Sequence, residues 1–229
     1  MTETTPLTLR LKDLPAASGG RALGLRAGDV LAAINGRAFQ GDAALLARRM
    51  AEGGGKPVAL TFQRGAAELT VLATRADLGL WEAVPALPED GARRRIDPAL
   101  LRNWEVLRAA DGSYDLYPLS LPSLALIAPQ LWLAQMRLWL PFAMLVAAVV
   151  AGGIVHPLLA LVVQAAGAVH LRHAFALYLR MDRRARGLGF GAVLAARSEA
   201  EAHATYLRLQ PEDHYLFAAK PRSAEPVTV

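Results

Sequence analysis

Leu7, Leu9 and Leu11 alternate with Thr8, Arg10 and Lys12, a period-two pattern that predicts a strand with one apolar face. VLAAI at Val30–Ile34, VALTF at 58–62 and ELTVLAT at 68–74 predict three more strands. Between the second and third, Asp42 is placed to cap a helix over Ala43–Glu52, which Gly53, Gly54 and Gly55 end before Pro57 opens the next strand. Asn35–Gly36 and Arg64–Gly65 supply turn residues that tolerate positive φ. The order strand, strand, helix, strand, strand predicts a separate soluble α+β unit over residues 1–78.

Further on the pattern changes character. From residue 138 to 171 the chain reads LWLPFAMLVAAVVAGGIVHPLLALVVQAAGAVHL, without Asp, Glu, Lys or Arg, which points to a membrane. One straight helix of that length would run about 50 Å, against a hydrocarbon layer about 30 Å thick. GGIVHP breaks the block near its middle, and a proline costs no hydrogen bond at the start of a helix. The block therefore predicts a transmembrane hairpin at 138–180. Its first helix is expected over about 135–154 and its second over about 157–180, with interfacial residues borrowed at the ends. Gly152, Gly153 and Gly167 among many alanines favour close contact between helices.

Arg93, Arg94, Arg95, Arg102, Arg108 and Arg137 precede the hairpin, and Arg172, Arg180, Arg183, Arg184 and Arg186 follow it. The turn between has no cation, so both termini are expected in the cytoplasm of a multi-pass inner-membrane protein. Residues 118–137 are uncharged up to Met136 but carry Pro118, Pro122 and Pro129. They predict an interfacial or re-entrant segment, with Trp132 and Trp139 at headgroup depth and Arg137 snorkelling. A third crossing is the rival reading.

Residues 79–117 read as a linker holding one short helix from Pro98, capped by Asp97, with Trp104, Val106 and Leu107 on its apolar side, and DGSYDLYP as a turn. Residues 181–217 read as a small cytoplasmic strand–helix tail. In it GAVLAA is a strand, and Ser198 with Glu201 forms a capping box for a helix to about Leu209. A disordered tail is expected at 218–229. The predicted fold class is thus an α+β domain, a helical transmembrane hairpin and this tail.

The formal charge of +5 is concentrated after residue 115, beside the hairpin, which reads as a topology signal rather than nucleic-acid binding. Arg180, Arg183, Arg184 and Arg186 are also placed to hold anionic lipid headgroups. The absence of cysteine fits a reducing compartment. MTETTPLTLRLKDL has no basic region followed by an apolar run, so no secretory leader is expected.

GLRAGDVLAAING at 24–36, followed by Asp42, the helix with Leu45 and Leu46, and PVALTFQRG, closely resembles the PDZ domains of bacterial HtrA-type proteases. The resemblance covers roughly residues 6–76 and implies a PDZ-like fold. It implies that a partner's tail adds a strand beside the first strand and packs on the helix, a groove formed here by Leu7, Leu9 and Leu11 against Leu45 and Arg49. The family's carboxylate-binding loop has no counterpart in MTETTP, and strand addition does not need it. A PDZ fold kept as a docking surface is the other option.

The second half resembles an uncharacterised family of small bacterial inner-membrane proteins, a domain of unknown function, at Pro129, Leu131, Trp132, Arg137, Trp139, Gly189, Phe190 and Ala202. That family implies no chemistry. Neither do the residues: HExxH, a Walker loop, GxSxG and zinc-ligand spacing are all missing, and an enzyme is not expected. His170 and His173 share a helix face, yet bis-histidine haem ligation would need an opposing histidine, and His156 lies about 21 Å along the axis. No metal or cofactor is implied. The expectation is a non-catalytic, membrane-anchored adaptor that binds a protein partner or docks in a larger membrane complex. The alternative is a small oligomeric transport or lipid-handling protein whose pathway is lined by Gln164, His170, Arg172 and His173.

Overall fold

In the computed structural model, which describes residues 6–86, 95–121 and 123–218, the N-terminal alternation closes into a sheet. Its elements are β1 (Leu7–Asp13), α1 (Gly19–Ala22), β2 (Val30–Ile34), β3 (Arg37–Ala38), α2 (Ala43–Glu52), β4 (Val58–Arg64), β5 (Ala67–Ala73) and β6 (Leu80–Pro85). The order is β5-β4-β2-β1-β6, with β3 beside β2, and every pairing is antiparallel. Asn35 and Gly36, both at positive φ, form the two-residue turn between β2 and β3. Asp42 accepts a 2.8 Å bond from Leu45 N–H and caps α2, which turns Leu46 and Met50 into the core.

The chain beyond departs from the expected linker. A single 3-10 turn at Pro98–Leu100, capped by Asp97, gives way to β7 (Arg102–Arg108) and β8 (Ser113–Pro118). The expected helix through Trp104 is a strand, and most of the expected turn DGSYDLYP is its partner. Both strands are buried on two faces. Trp104, Val106, Tyr114 and Leu116 join the core of the first sheet, while Leu107 and Tyr117 pack under the helices. Two-sided burial erases the alternation that marks a strand in sequence.

Four helices follow: α3 (Leu124–Ile127), α4 (Pro129–Gln135), α5 (Trp139–Val155) and α6 (Pro157–Ala185). At about 6 and 10 Å, α3 and α4 are too short to cross a bilayer, so the rival third crossing has no helix to make it. The chain then returns as β9 (Gly189–Ala196), α7 (Glu199–Leu209) and β10 (His214–Tyr215). Ser198 accepts from Glu201 N–H, and the Glu201 carboxylate accepts from Arg197 N–H, close to the expected capping box. The expected strand–helix tail is no separate unit, because β9 pairs along the whole of β7 and β10 pairs with β8, giving a second sheet ordered β10-β8-β7-β9.

One apolar core links the sheets, from Leu60 and Val71 to Val106, Leu194 and Tyr206, so the first eighty residues share their core with the rest. The Asn103 side chain bonds both N–H and C=O of Leu72 at 2.9 Å, continuing the edge of β5. Gly24, at φ +68°, approaches β9 so closely that a Cβ would sit 2.9 Å from Ala192 Cα. Of the sequence expectations, Arg93, Arg94, Pro88–Gly91, Pro122 and residues 219–229 of the tail lie outside the described residues.

Candidate functional site at the foot of the long helix

Helix α6 has two halves with different surroundings. His156 Nδ1 accepts from Leu158 N–H, Pro157 opens the helix, and 29 residues follow, about 43 Å of helix. Among the described residues α6 is the one helix long and apolar enough to cross a membrane, and only 11% of its apolar window is buried, unlike a core helix. Leu158, Leu161, Val162 and Val169 are all exposed. The 17 residues of α5, also apolar, fold back along α6: Gly152 lies against Leu159 and Ala160, and Gly167 against Leu145. A Cβ on Gly152 would stand 3.3 Å from Ala160 N, so the glycine permits that approach.

The far half of α6 docks on the second sheet. Arg180 forms a two-pronged pair with Glu105 of β7, at 2.8 and 2.6 Å, and the buried Arg183 pairs with Asp115 of β8 while donating to Met136 O. Glu105 and Asp115 are 1% and 2% exposed, so each would be a stranded charge without its arginine. Burial pushes the Tyr117 hydroxyl of β8 well above its usual pKa, and the neighbouring Glu105 carboxylate pushes it the same way. The same device recurs in the head. Asp29 accepts two bonds from Arg64, and Asp213 accepts two from Arg108 and one from the Tyr206 hydroxyl. The Arg108 bond holds the Asp213 carboxyl below the usual range against the opposing effect of burial.

These contacts correct three interfacial expectations. Trp132 is 3% exposed and meets Phe175 of α6 edge-on, so it is a packing residue rather than a headgroup anchor. Arg183 and Arg180 are committed to carboxylates, which leaves Arg184 as an exposed cation of the expected lipid cluster. Trp139 is exposed. Arg137 does not stretch away from the head. It sits at φ +59° just past α4, where Arg137 N–H bonds Ala134 O and Leu138 N–H bonds Leu133 O, the helix-ending motif that usually takes glycine. The conformation costs an arginine about 1–2 kcal/mol. Its guanidinium lies 4.0 Å from the Phe217 ring centre, and those of Arg183 and Arg186 lie 5.3 and 5.9 Å from the same ring.

The expected groove changes as well. Leu9 and Leu11 are buried in the core, Leu7 is exposed, Leu45 is half-buried, and Arg49 reaches over Phe39 at 5.6 Å. Both edges of β1 are occupied, by β2 and by β6, so no partner strand can add to β1. The open position lies one strand out, on β6, where no described strand pairs. Ala86 N–H donates to Pro6 O, which turns the backbone groups of Trp81, Ala83 and Pro85 away from β1. Pro85, with no N–H, is at home on such an edge.

Within the apolar part, Gln164 of α6 exchanges amide bonds with Gln130 of α4, and His170 bonds the Tyr178 hydroxyl at 2.8 Å. His173 is exposed. Glu105, Asp115, Asp213 and Phe217 were not signalled by the sequence. The one trace of them is the spacing of Arg180 and Arg183, three apart on one helix face. Neither the protein-family models nor the curated proteins contain a match for this chain.

Proposed function

We propose that this protein is a non-catalytic, membrane-anchored adaptor whose α5–α6 hairpin sits in a bacterial inner membrane and whose PDZ-like first sheet takes up a partner strand along β6. The observation that carries the reading is the continuity of α6, which passes from an exposed apolar half to two ion pairs inside the head. A membrane arm held this way fixes the head's orientation rather than merely tethering it. The resemblance of residues 24–36 to HtrA-type PDZ domains supports peptide recognition, and an outer edge of β6 that no described strand pairs with supports strand addition there. The transport alternative draws less support, because Gln164 and His170 already have partners within the chain.

Ala83→Pro tests the reading. It deletes an outward N–H of β6 without touching a β1–β6 bond. Tagged full-length protein purified from its own membranes is expected to bring down a defined partner that Ala83→Pro loses, with folding unchanged by circular dichroism. A partner equally retained by the variant would remove β6 as the docking edge. Extraction of the protein from membranes by alkaline carbonate would remove the anchor.

A further inference from the structure

Where α4 gives way to α5, a cleft of about 460 Å³ opens against α6. Leu133, Leu138 and Leu171 form its buried floor, and Trp139 and Met144 stand exposed on its rim. The size and the apolar lining suit a small-molecule site. Among the described residues Asp182 is the only charged one in the lining, and its carboxylate is already paired with Arg183 and Arg186. An anion therefore meets no free cation inside the cleft, and a cation meets no free carboxylate. Polar recognition falls to His170 and Tyr178, which both line the cleft and share a 2.8 Å bond. Among the described residues neither side chain has another hydrogen-bond partner. If the Tyr178 hydroxyl donates to His170 Nε2, the imidazole keeps Nδ1–H as a free donor. If Nε2–H donates instead, the hydroxyl keeps its own proton free. Either tautomer leaves the pair one donor and one acceptor unused. His170 stands about 20 Å along α6 from Pro157, inside a hydrocarbon layer of about 30 Å that begins at that proline. Water does not reach a spare donor in such a layer, so a ligand oxygen is the group that satisfies it.

We infer that this cleft binds a prenylated quinone from the bilayer, one ring carbonyl accepting the hydrogen bond that the His170–Tyr178 pair has to spare. The inference rests on the membrane reading above and goes beyond it by assigning a ligand. A quinone meets each condition the lining sets. It carries no charge, its carbonyl accepts without donating, and its flat ring suits the Trp139 and Tyr178 rings and the Met144 thioether. Leu140 and Met144 continue the rim into the exposed apolar surface of the α5–α6 hairpin, which gives the prenyl tail an apolar way out. A diacylglycerol shares the carbonyls and the missing charge but brings no ring for those side chains.

The test uses full-length protein in phosphatidylcholine nanodiscs with a photoactivatable azidoquinone bearing a decyl tail, and reads the labelled peptides by mass spectrometry. Label is expected within residues 138–145 and 170–182, displaced by decylubiquinone and not by dioleoylglycerol. His170→Phe combined with Tyr178→Phe removes every polar atom of the pair and is expected to weaken labelling about tenfold, the loss of one hydrogen bond in an apolar site. Either change alone leaves a donor in place and is expected to cost no more than about threefold. Met144→Trp fills the cleft from its rim and is expected to abolish the label. Label spread along the hairpin, displacement by dioleoylglycerol as readily as by the quinone, or a double variant labelled like the wild type overturns the inference and leaves the anchor standing. A dimer in the nanodisc that takes no label puts a second copy of the chain in the cleft and overturns the ligand. Protein that fails to float with phosphatidylcholine vesicles overturns the anchor itself.

Discussion

The two sheets pack against one another but are assembled differently. The first takes every strand from one stretch between Leu7 and Pro85, whereas the second draws β7 and β8 from before the helices and β9 and β10 from after them. Both bury carboxylates against arginine. In the first sheet Asp29 finds Arg64 on β4, inside the same layer, while in the second Glu105 and Asp115 wait for Arg180 and Arg183 from α6. Without α6 the first sheet keeps its ion pair and the second holds two stranded charges. Docking of the arm and completion of the second sheet are therefore one event.

Arg183→Met should split the sheets most widely. It strands Asp115 at 2% exposure, an expected cost of about 3–5 kcal/mol, read as a fall in Tm in detergent. Hydrogen exchange should rise in β8 and β10 ahead of β4 and β5, and adding Asp115→Leu should recover most of the loss. Equal exchange in both sheets would dissolve the distinction. Gly24→Ala probes the seam between them. It combines a left-handed backbone with a Cβ driven into β9, and should cost about 3 kcal/mol by chemical denaturation.

Acid addresses the second sheet through Asp213. A carboxyl held below its ordinary pKa of 3.8 contributes stability that is present above that value and lost as pH falls through the lowered one. Thermal unfolding of the wild type should therefore decline below about pH 4 more steeply than that of Asp213→Asn, which forfeits about 2 kcal/mol at neutral pH instead. Gly65→Ala, at φ +59° in open space within the first sheet, should cost only about 1 kcal/mol and leave the second sheet's exchange unmoved.

Legibility in the sequence followed the same division. Leu7, Leu9 and Leu11 alternate, Asp42 caps, and Asn35–Gly36 turns, all through neighbours within a few residues, so local physics sufficed. In β7 the run Trp104, Glu105, Val106 and Leu107 is buried on both faces and includes a charge, which imitates a helix or a linker until its partners are known. Those partners lie 75 residues away at Arg180 and in a strand beyond α6. The apolar block announced its helices, but nothing local said that Arg180 and Arg183 point into protein. β6 was missed for a related reason: its pairing residues on β1 are 72 positions earlier, as in the Arg10–Glu82 contact. With β6 out of view, β1 reads as the outer strand of the sheet, one position further in than the structure places that edge.

The ion pairs at the foot of α6 also set how the molecule would behave under tension. A pull on the hairpin travels down α6 and meets Arg180 and Arg183 before it reaches β9, so it is shared at once between β7 and β8 rather than peeling β9 from the edge. The carboxylates act as rivets loaded in shear. Such a joint lets α6 transmit displacement to the sheets without unravelling the strand to which it is covalently joined.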